Sequence, residues 1–434
     1  MAIEWRAELL RDLIVTTKDG DWGKGDPECG HSAYNVIRGT DFAKVRFGDV
    51  SCVPLRYLPE KTVARRTLEP NDILIETAGG TKDRPTGRTL LVTQHILERF
   101  SGPVTCASFA RFLRINTAKA DPAFVFWYLQ YLYEKGEMSQ HQVQHTGVAR
   151  FQYTRFAETQ NIPLPPLPEQ KAIARILGAL DDKIELNRRM NATLEAMARA
   201  LFQSWFVDFD PVRAKQEGRA PAGLDEATAA LFPDQFQDSE LGPIPQGWTA
   251  AKLGQVINIF DSKRVPLSVR EREKRRGVYP YHGAASVMDY IDDYLFDGIY
   301  VLMGEDGSVV NKDGTPVLQY VWGKFWVNNH AHVLTGKEGI CTEHIILHLK
   351  GCNITPFVNG AVQPKLNQGN MNRIDFVLPS SPVSKAFGEA IAPLFARIRA
   401  NVDESRTLAT LRDTLLPKLL SGEISAINKE RIAG

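Results

Sequence analysis

Glu169-Gln170-Lys171 has the local spelling of the Glu-x-Lys pair with which nucleases, aided by an upstream Asp, hold a catalytic metal. Here the triplet follows Pro168 at the start of a helical pattern and lacks a suitably placed Asp, so it is expected to cap a helix instead. His141 and His145 have the i, i+4 spacing of a helical zinc pair, yet no Glu follows His141 and no third ligand is apparent. His282, His330, His332, His344 and His348 are scattered without ligand spacing. A phosphate-cradling loop needs GxxxxGK[ST], and the nearest stretch, GDWGKGD at 20–26, lacks both the spacing and the hydroxyl. A base-methylating site would show a glycine-rich cofactor loop and an Asn/Asp-Pro-Pro-aromatic run. Asp210-Pro211-Val212 lacks the second proline and the aromatic. The expectation is a chain with no catalytic residues, no metal site and no cofactor of its own.

The chemistry that remains is recognition. Arg, Lys, Asn and Gln make paired hydrogen bonds to guanine or adenine edges, and loops between rigid strands are where such residues are usually placed. Lys82, Arg84 and Arg88 lie in a turn-rich stretch of the first part of the chain, and Thr146, Gly147, Arg150, Gln152 and Tyr153 follow near its end. Ser308, Lys312, Asn329, His330, Lys365 and Asn367 are comparable in the second part. These are the candidate DNA-binding residues.

Short apolar runs must position them. DILIET (72–77), TLLVT (89–93), IYVLM (299–303), PVLQYVW (316–322) and HIILHL (344–349) alternate with turn-rich segments such as GGTKDRPTG and GEDGS. Mixed α/β units with several strands are expected. Outside them the chain repeats itself. At a constant shift of 214, Leu164 falls on Leu378, Ile173 on Phe387, Leu177 on Ile391, Leu180 on Leu394, Ile184 on Ile398, Asn187 on Asn401 and Leu194 on Leu408. Steps of three and four between the apolar positions describe the seam of a coiled coil. Ile173, Leu177, Leu180, Ile184, Asn187, Leu194, Ile391, Leu394, Ile398, Asn401 and Leu408 are the candidate seam and partner-binding residues, with the two asparagines setting register or partner choice. Residues 169–206 contain no proline and give a rod of roughly 57 Å. Pro393 and Pro417 predict a kink and an end in the second helix.

The fold class is therefore α+β, with two mixed α/β domains, each a candidate target recognition domain by its loop residues, separated by two long antiparallel coiled-coil helices in a pseudo-twofold internal repeat. The boundaries expected are 1–165 for the first domain, 166–207 for its helix, 208–244 for a connector with a short helix at 224–231, 245–380 for the second domain, 381–422 for its helix and 423–434 for a tail. If the helices pack antiparallel, they hold the two domains at a set separation.

Composition is that of a soluble globular protein, with 43% hydrophobic and 24% charged residues among 434. Five scattered cysteines without CxxC spacing, and a charged start without an apolar leader, suggest reduced thiols in the cytoplasm and no membrane association. The net charge of +1 hides local contrast: 261–276 is net +4 and 286–313 is net −6.

Read as a whole, the chain resembles the specificity subunits of type I restriction–modification systems. PLPPLPEQKAIARILGALDDKIELNRRMNATLEAMARALFQSWF (163–206) is similar to their central region, with Pro165 to Ile173 its opening. LGPIPQGW (241–248), LLPKLLSGEI (415–424), GKFWVNNHAHVL (323–334) and ILIETAGG (73–80) resemble other family segments. In the second helix SSPVSKAF replaces the Pro-Pro-Leu-x-Glu-Gln opening. The resemblance implies a non-catalytic subunit that recognises a bipartite double-stranded DNA site, docks two adenine methyltransferase subunits and accepts restriction/translocase subunits. S-adenosylmethionine, ATP and Mg2+ would then belong to those partners. The rival readings are a fused or remnant methyltransferase or nuclease and a coiled-coil assembly scaffold.

Overall fold

Leu167–Phe206 and Ser381–Leu420 each form one helix of 40 residues, so both copies of the repeated hydrophobic pattern are helical throughout. The structure, a computed structural model, describes residues 5–80, 84–145, 148–360 and 363–427. It folds as two units, one of Met1–Leu186 with Glu404–Gly434 and one of Asn187–Asp403. Each unit owns a globular domain and part of both long helices.

In the first unit the strand Arg6–Leu9 pairs antiparallel with Asn161–Leu164, which closes the domain just before the helix begins. Ile14–Asp19, Ala110–Ile115, Ile73–Glu76 and Thr89–Leu91 make an antiparallel sheet in that order. His31–Ile37 pairs with Leu55–Pro59 and, in parallel, with Val104–Cys106. The aromatic run near 123–133 becomes the helix Pro122–Glu134, started by Asp121, whose side chain accepts from the Phe124 N–H at 3.0 Å. Its Phe124, Leu129 and Leu132 join Ile73, Leu113, Ile173, Leu177, Leu416, Leu419 and Leu420 in one buried cluster. Asp181 joins the two helix segments and the domain, taking Arg412 at 2.5 Å and Arg46 at 2.5 Å.

The second unit repeats the order. Thr249–Lys252 pairs with Asp375–Leu378 as Arg6–Leu9 does with Asn161–Leu164. A six-stranded sheet runs Ile257–Ile259, Ala331–Gly336, Phe296–Gly304, Leu318–Val327, Arg276–His282, Val287–Ile291. The helix segments face each other antiparallel: Asn191 Nδ2 donates to the Ile398 carbonyl (3.3 Å), while the Trp205 and Phe387 rings lie 5.5 Å apart. Asn187 and Asn401, both buried, share this seam, with Asn187 Nδ2 donating to the Asn401 carbonyl (3.4 Å) and Asn401 Nδ2 to Asn191 Oδ1 (2.8 Å). Ile173, Leu177, Ile391 and Ile398 are buried, whereas Leu180, Ile184, Leu194, Leu394 and Leu408 are half-buried.

Three expectations need correction. HIILHL is not a strand but lies in the helix Thr342–Lys350. Its six apolar-rich residues are too short a run to separate a buried helix from a buried strand by periodicity. The second long helix runs past Pro417 to Leu420, because Leu416, Leu419 and Leu420, at most 2% exposed, anchor its last turn. The connector carries the helix Asp210–Gln216 in addition to Glu226–Ala230.

Glu169 and Gln170, which spelled a metal-binding triplet, act as staples. Glu169 accepts from the Ala426 N–H at 2.6 Å and the Ser425 hydroxyl at 3.1 Å, holding the turn that follows the second helix. Gln170 accepts from the Asp121 N–H (2.8 Å) and donates to the Pro165 carbonyl (2.8 Å). In the second copy Val383 and Ser384 take their places, and Val383 is buried in the apolar cluster that also contains Val212. A charged grip in one unit is thus an apolar one in the other. Glu169→Ala is expected to remove about 1.5–3 kcal/mol of charge-assisted hydrogen bonding and to raise amide hydrogen exchange across 421–427; unchanged exchange there refutes the staple.

Candidate nucleic-acid interface

Exposed polar residues can read a ligand only if the backbone beneath them is held. In the first unit that support is a three-stranded sheet of Ala78–Gly80, Val148–Phe151 and Gln142–His145. The loop carrying Arg84 is tied to this hairpin by Gln142, whose Oε1 accepts from the Thr86 N–H at 2.8 Å and hydroxyl at 3.1 Å. Gly87 has φ +95°, and a Cβ there would meet Phe151 at 3.2 Å and Met138 at 3.3 Å, so only glycine lets the loop close onto the hairpin. Arg84, Arg150 and Gln152 are exposed on this support. Lys82, Thr146 and Gly147 lie outside the described residues.

Two candidates are committed elsewhere. Arg88 makes a two-pronged pair with Glu76 (2.5 and 2.9 Å) and donates to the Gly39 carbonyl (2.8 Å), so it braces the foot of the loop. Tyr153 is buried under Arg111, whose guanidinium lies 4.5 Å from its ring centre and also pairs with Asp19 at 2.6 Å. Burial pushes the Tyr153 phenol above its usual range. Beside it opens a cavity of about 430 Å³ lined by Asp19, Thr77, Arg111, Gln152, Tyr153 and Arg155, among others. His141 and His145 do not share a helix: the first ends a short turn, Glu137–His141, and packs on Phe156 with ring centres 5.1 Å apart, while the second ends a strand.

In the second unit, short bridges gather most of the candidates. Asp306 pairs with Lys365, which pairs with Asn359. The Glu305 N–H donates to the His330 carbonyl (2.9 Å), and the Leu366 N–H to the Glu305 carbonyl (2.9 Å). Ser308, Asn329, His330 and Lys365 are therefore exposed around one pair of residues, Glu305-Asp306. Asn367 is exposed too, but its side chain accepts from the Asn370 N–H at 2.8 Å and starts a helical turn. Lys312 projects from a separate turn beyond the bridge between Val310 and Pro316.

Below this rim is a cluster that sequence inspection did not find. Asp261, Glu305 and His332 place ligand-type atoms within 4.8 Å of one another. Arg264 already pairs with Glu305 at 2.7 Å and with Asp261 at 3.5 Å. Both ring nitrogens of His332 face acceptors, Asp261 Oδ2 at 2.6 Å and the Leu366 carbonyl at 2.8 Å. Burial disfavours the charge on Asp261, but hydrogen bonds from His332, Gln368 and the Val333 N–H outweigh it and hold the carboxyl below its ordinary range. Arg264, His332, Gln368 and the Val333 N–H thus supply the donors that the carboxylates need, and the arrangement works as a brace under the 305 and 366 segments. Asp261 and His332 are 71 positions apart, so no local pattern signals them.

Residues 30–196 and 245–404 match the family described as the type I restriction modification DNA specificity domain. The chain is 27% identical over 319 residues to the type I restriction enzyme MjaIX specificity subunit of Methanocaldococcus jannaschii, covering 68% of each. It is 25% identical over 327 residues to the HindI specificity subunit of Haemophilus influenzae, covering 61% of this chain and 69% of that one. In fold it is similar to the S subunit of a type I restriction–modification system from M. genitalium, with a TM-score of 0.59, 16% identity and 96% of both chains covered.

Proposed function

The chain belongs to the type I restriction modification DNA specificity family, and from that premise we propose that each of its two units reads one half of a bipartite DNA site. It is a specificity subunit and not itself a catalyst. The observation that carries the bipartite reading is the duplicated rim: Arg84, Arg150 and Gln152 in one unit, Ser308, Asn329, His330 and Lys365 in the other, each exposed on a braced backbone. Such side chains supply base-edge hydrogen bonds, while phosphate contacts supply affinity.

The long helices set the unspecified spacer and dock two adenine methyltransferase subunits, to which restriction subunits add. Met197 and Leu411 support this stoichiometry. They are related by the 214-residue shift, and both are exposed large apolar side chains on the helices, at 49% and 44%. Two equivalent apolar positions suit two copies of one partner. S-adenosylmethionine, ATP and Mg2+ act in those partners. The site of action is the cytoplasm; the five cysteines are free, and among the described residues no helix is long and apolar enough to cross a membrane.

Co-expression with a methyltransferase partner, followed by mapping of methylated adenines, tests the reading. The expected result is a two-part motif with a constant gap; an undivided motif, or none, overturns it. Arg150→Ala or Gln152→Ala should then lose about 1–3 kcal/mol of discrimination at one half only, seen as relaxed methylation in that half. Relaxation in both halves, or in neither, contradicts the assignment.

A further inference from the structure

The second unit carries an apolar knob among its polar rim residues. The strand Arg276–His282 turns back at Gly283–Ser286, where the Gly283 N–H donates to the Ser286 carbonyl at 2.9 Å, and returns as Val287–Ile291. Ala285, Ser286, Val287 and Met288 are exposed, Met288 at 54%. A mobile apolar tip would have little recognition value, but this one is fastened. Gln319 Nε2 donates to the Gly283 carbonyl (2.9 Å) and the Ala284 carbonyl (3.2 Å), and its Oε1 accepts from His282 Nδ1 at 2.9 Å. Met288 lies over Gly283, where any Cβ would come within 2.5 Å of its sulfur, and Asn328 Nδ2 donates to that sulfur at 3.6 Å.

The same asparagine joins the knob to the rim. Asn328 is 4% exposed, donates its N–H to the His282 carbonyl (3.1 Å) and accepts from the His330 N–H (2.9 Å). The knob and the exposed Asn329-His330 step are therefore one surface, with fixed apolar and polar elements side by side.

We infer that Met288 reads the 5-methyl group of a thymine in the half-site bound by the second unit, an inference that rests on the DNA-reading role proposed above. In the major groove the thymine methyl is the apolar feature of the base-pair edges, while the other features are donors and acceptors. The fixed thioether of Met288 offers that methyl an apolar contact, while Asn329 and His330, the latter 3.7 Å from Asp306, lie on the adjoining rim beside neighbouring polar edges. Removing one methyl from an apolar contact corresponds to about a four- to tenfold loss in affinity.

The test uses the full chain in complex with its methyltransferase partner and duplexes carrying the mapped target, with each thymine of the second half replaced in turn by deoxyuridine. The unmodified protein is expected to bind one such duplex about four- to tenfold more weakly. Met288→Ala should show that loss on the thymine duplex and be indifferent to the same replacement, while Met288→Leu, which keeps an apolar tip, should retain the preference. Equal responses of the parent and Met288→Ala to every replacement overturn the inference, as does a second half without a T·A pair. If no duplex is bound selectively by any variant, the DNA-reading role itself fails; that outcome is distinguished by loss of preference in the first half as well.

Discussion

An Arg88→Met chain should lose about 3–5 kcal/mol of stability in its first unit, far more than a surface substitution removes. Glu76 has a side-chain exposure of 3%, and the guanidinium of Arg88 is its partner. The pair is so favourable that hydrogen bonding to Glu76 raises the Arg88 pKa against the opposing effect of burial. Without Arg88 a carboxylate would stay buried against Gly39 or would have to take up a proton. Denaturant unfolding monitored in the first unit measures the effect. A second replacement, Glu76→Met, should restore most of the loss, because it is the unpartnered charge that destabilises. A loss under about 1 kcal/mol in the single variant would mean that the pair is dispensable. The prediction separates Arg88 from Arg150: the first is spent on Glu76 and supports the loop, whereas the second is exposed and is the one proposed to meet DNA.

Acid should weaken the second unit by up to about 5 kcal/mol through one side chain, His344. Its imidazole is 1% exposed and packed among Phe206, Phe387 and Phe376, with ring centres 4.5, 5.1 and 5.4 Å away. Burial pushes its pKa down to about 3. The unfolded chain, with an ordinary histidine pKa near 6.5, then binds a proton that the folded chain refuses. The stability is fully present above about pH 6.5 and drains away as the pH falls toward about 3. His344→Phe, which matches the phenylalanine-rich surroundings, should flatten that part of the stability–pH profile. A variant whose acid sensitivity equals that of the parent would place the titrating group elsewhere.

The two long helices were legible because a seam repeats at short range, and the 214-residue shift by itself sets Leu177 on Ile391 and Asn187 on Asn401. Legibility ended where structure is made by distant partners. Arg88 was visible as a basic loop residue, but Glu76 could not be known as its partner until the loop was folded back. Asp261 and His332 belong to segments that meet only in the sheet. HIILHL failed for another reason: a run of six apolar-rich residues is equally compatible with a buried strand and with part of a helix. The rim was legible by residue type, but Met288 was not, since an exposed methionine looks unremarkable until Gly283, Gln319 and Asn328 are seen to hold it.

The way the chain is shared between the units has a temporal consequence. Asn187–Asp403 is continuous in sequence, whereas the other unit needs Glu404–Gly434 to meet residues made long before. On a ribosome adding about 5–20 residues per second, synthesis of the intervening stretch takes on the order of ten to forty seconds. For that interval Ile173 and Leu177 wait without Leu416, Leu419 and Leu420, and Glu169 without the turn it grips. The domain made first is thus the last to be completed, and until then its half of the seam keeps apolar surface uncovered.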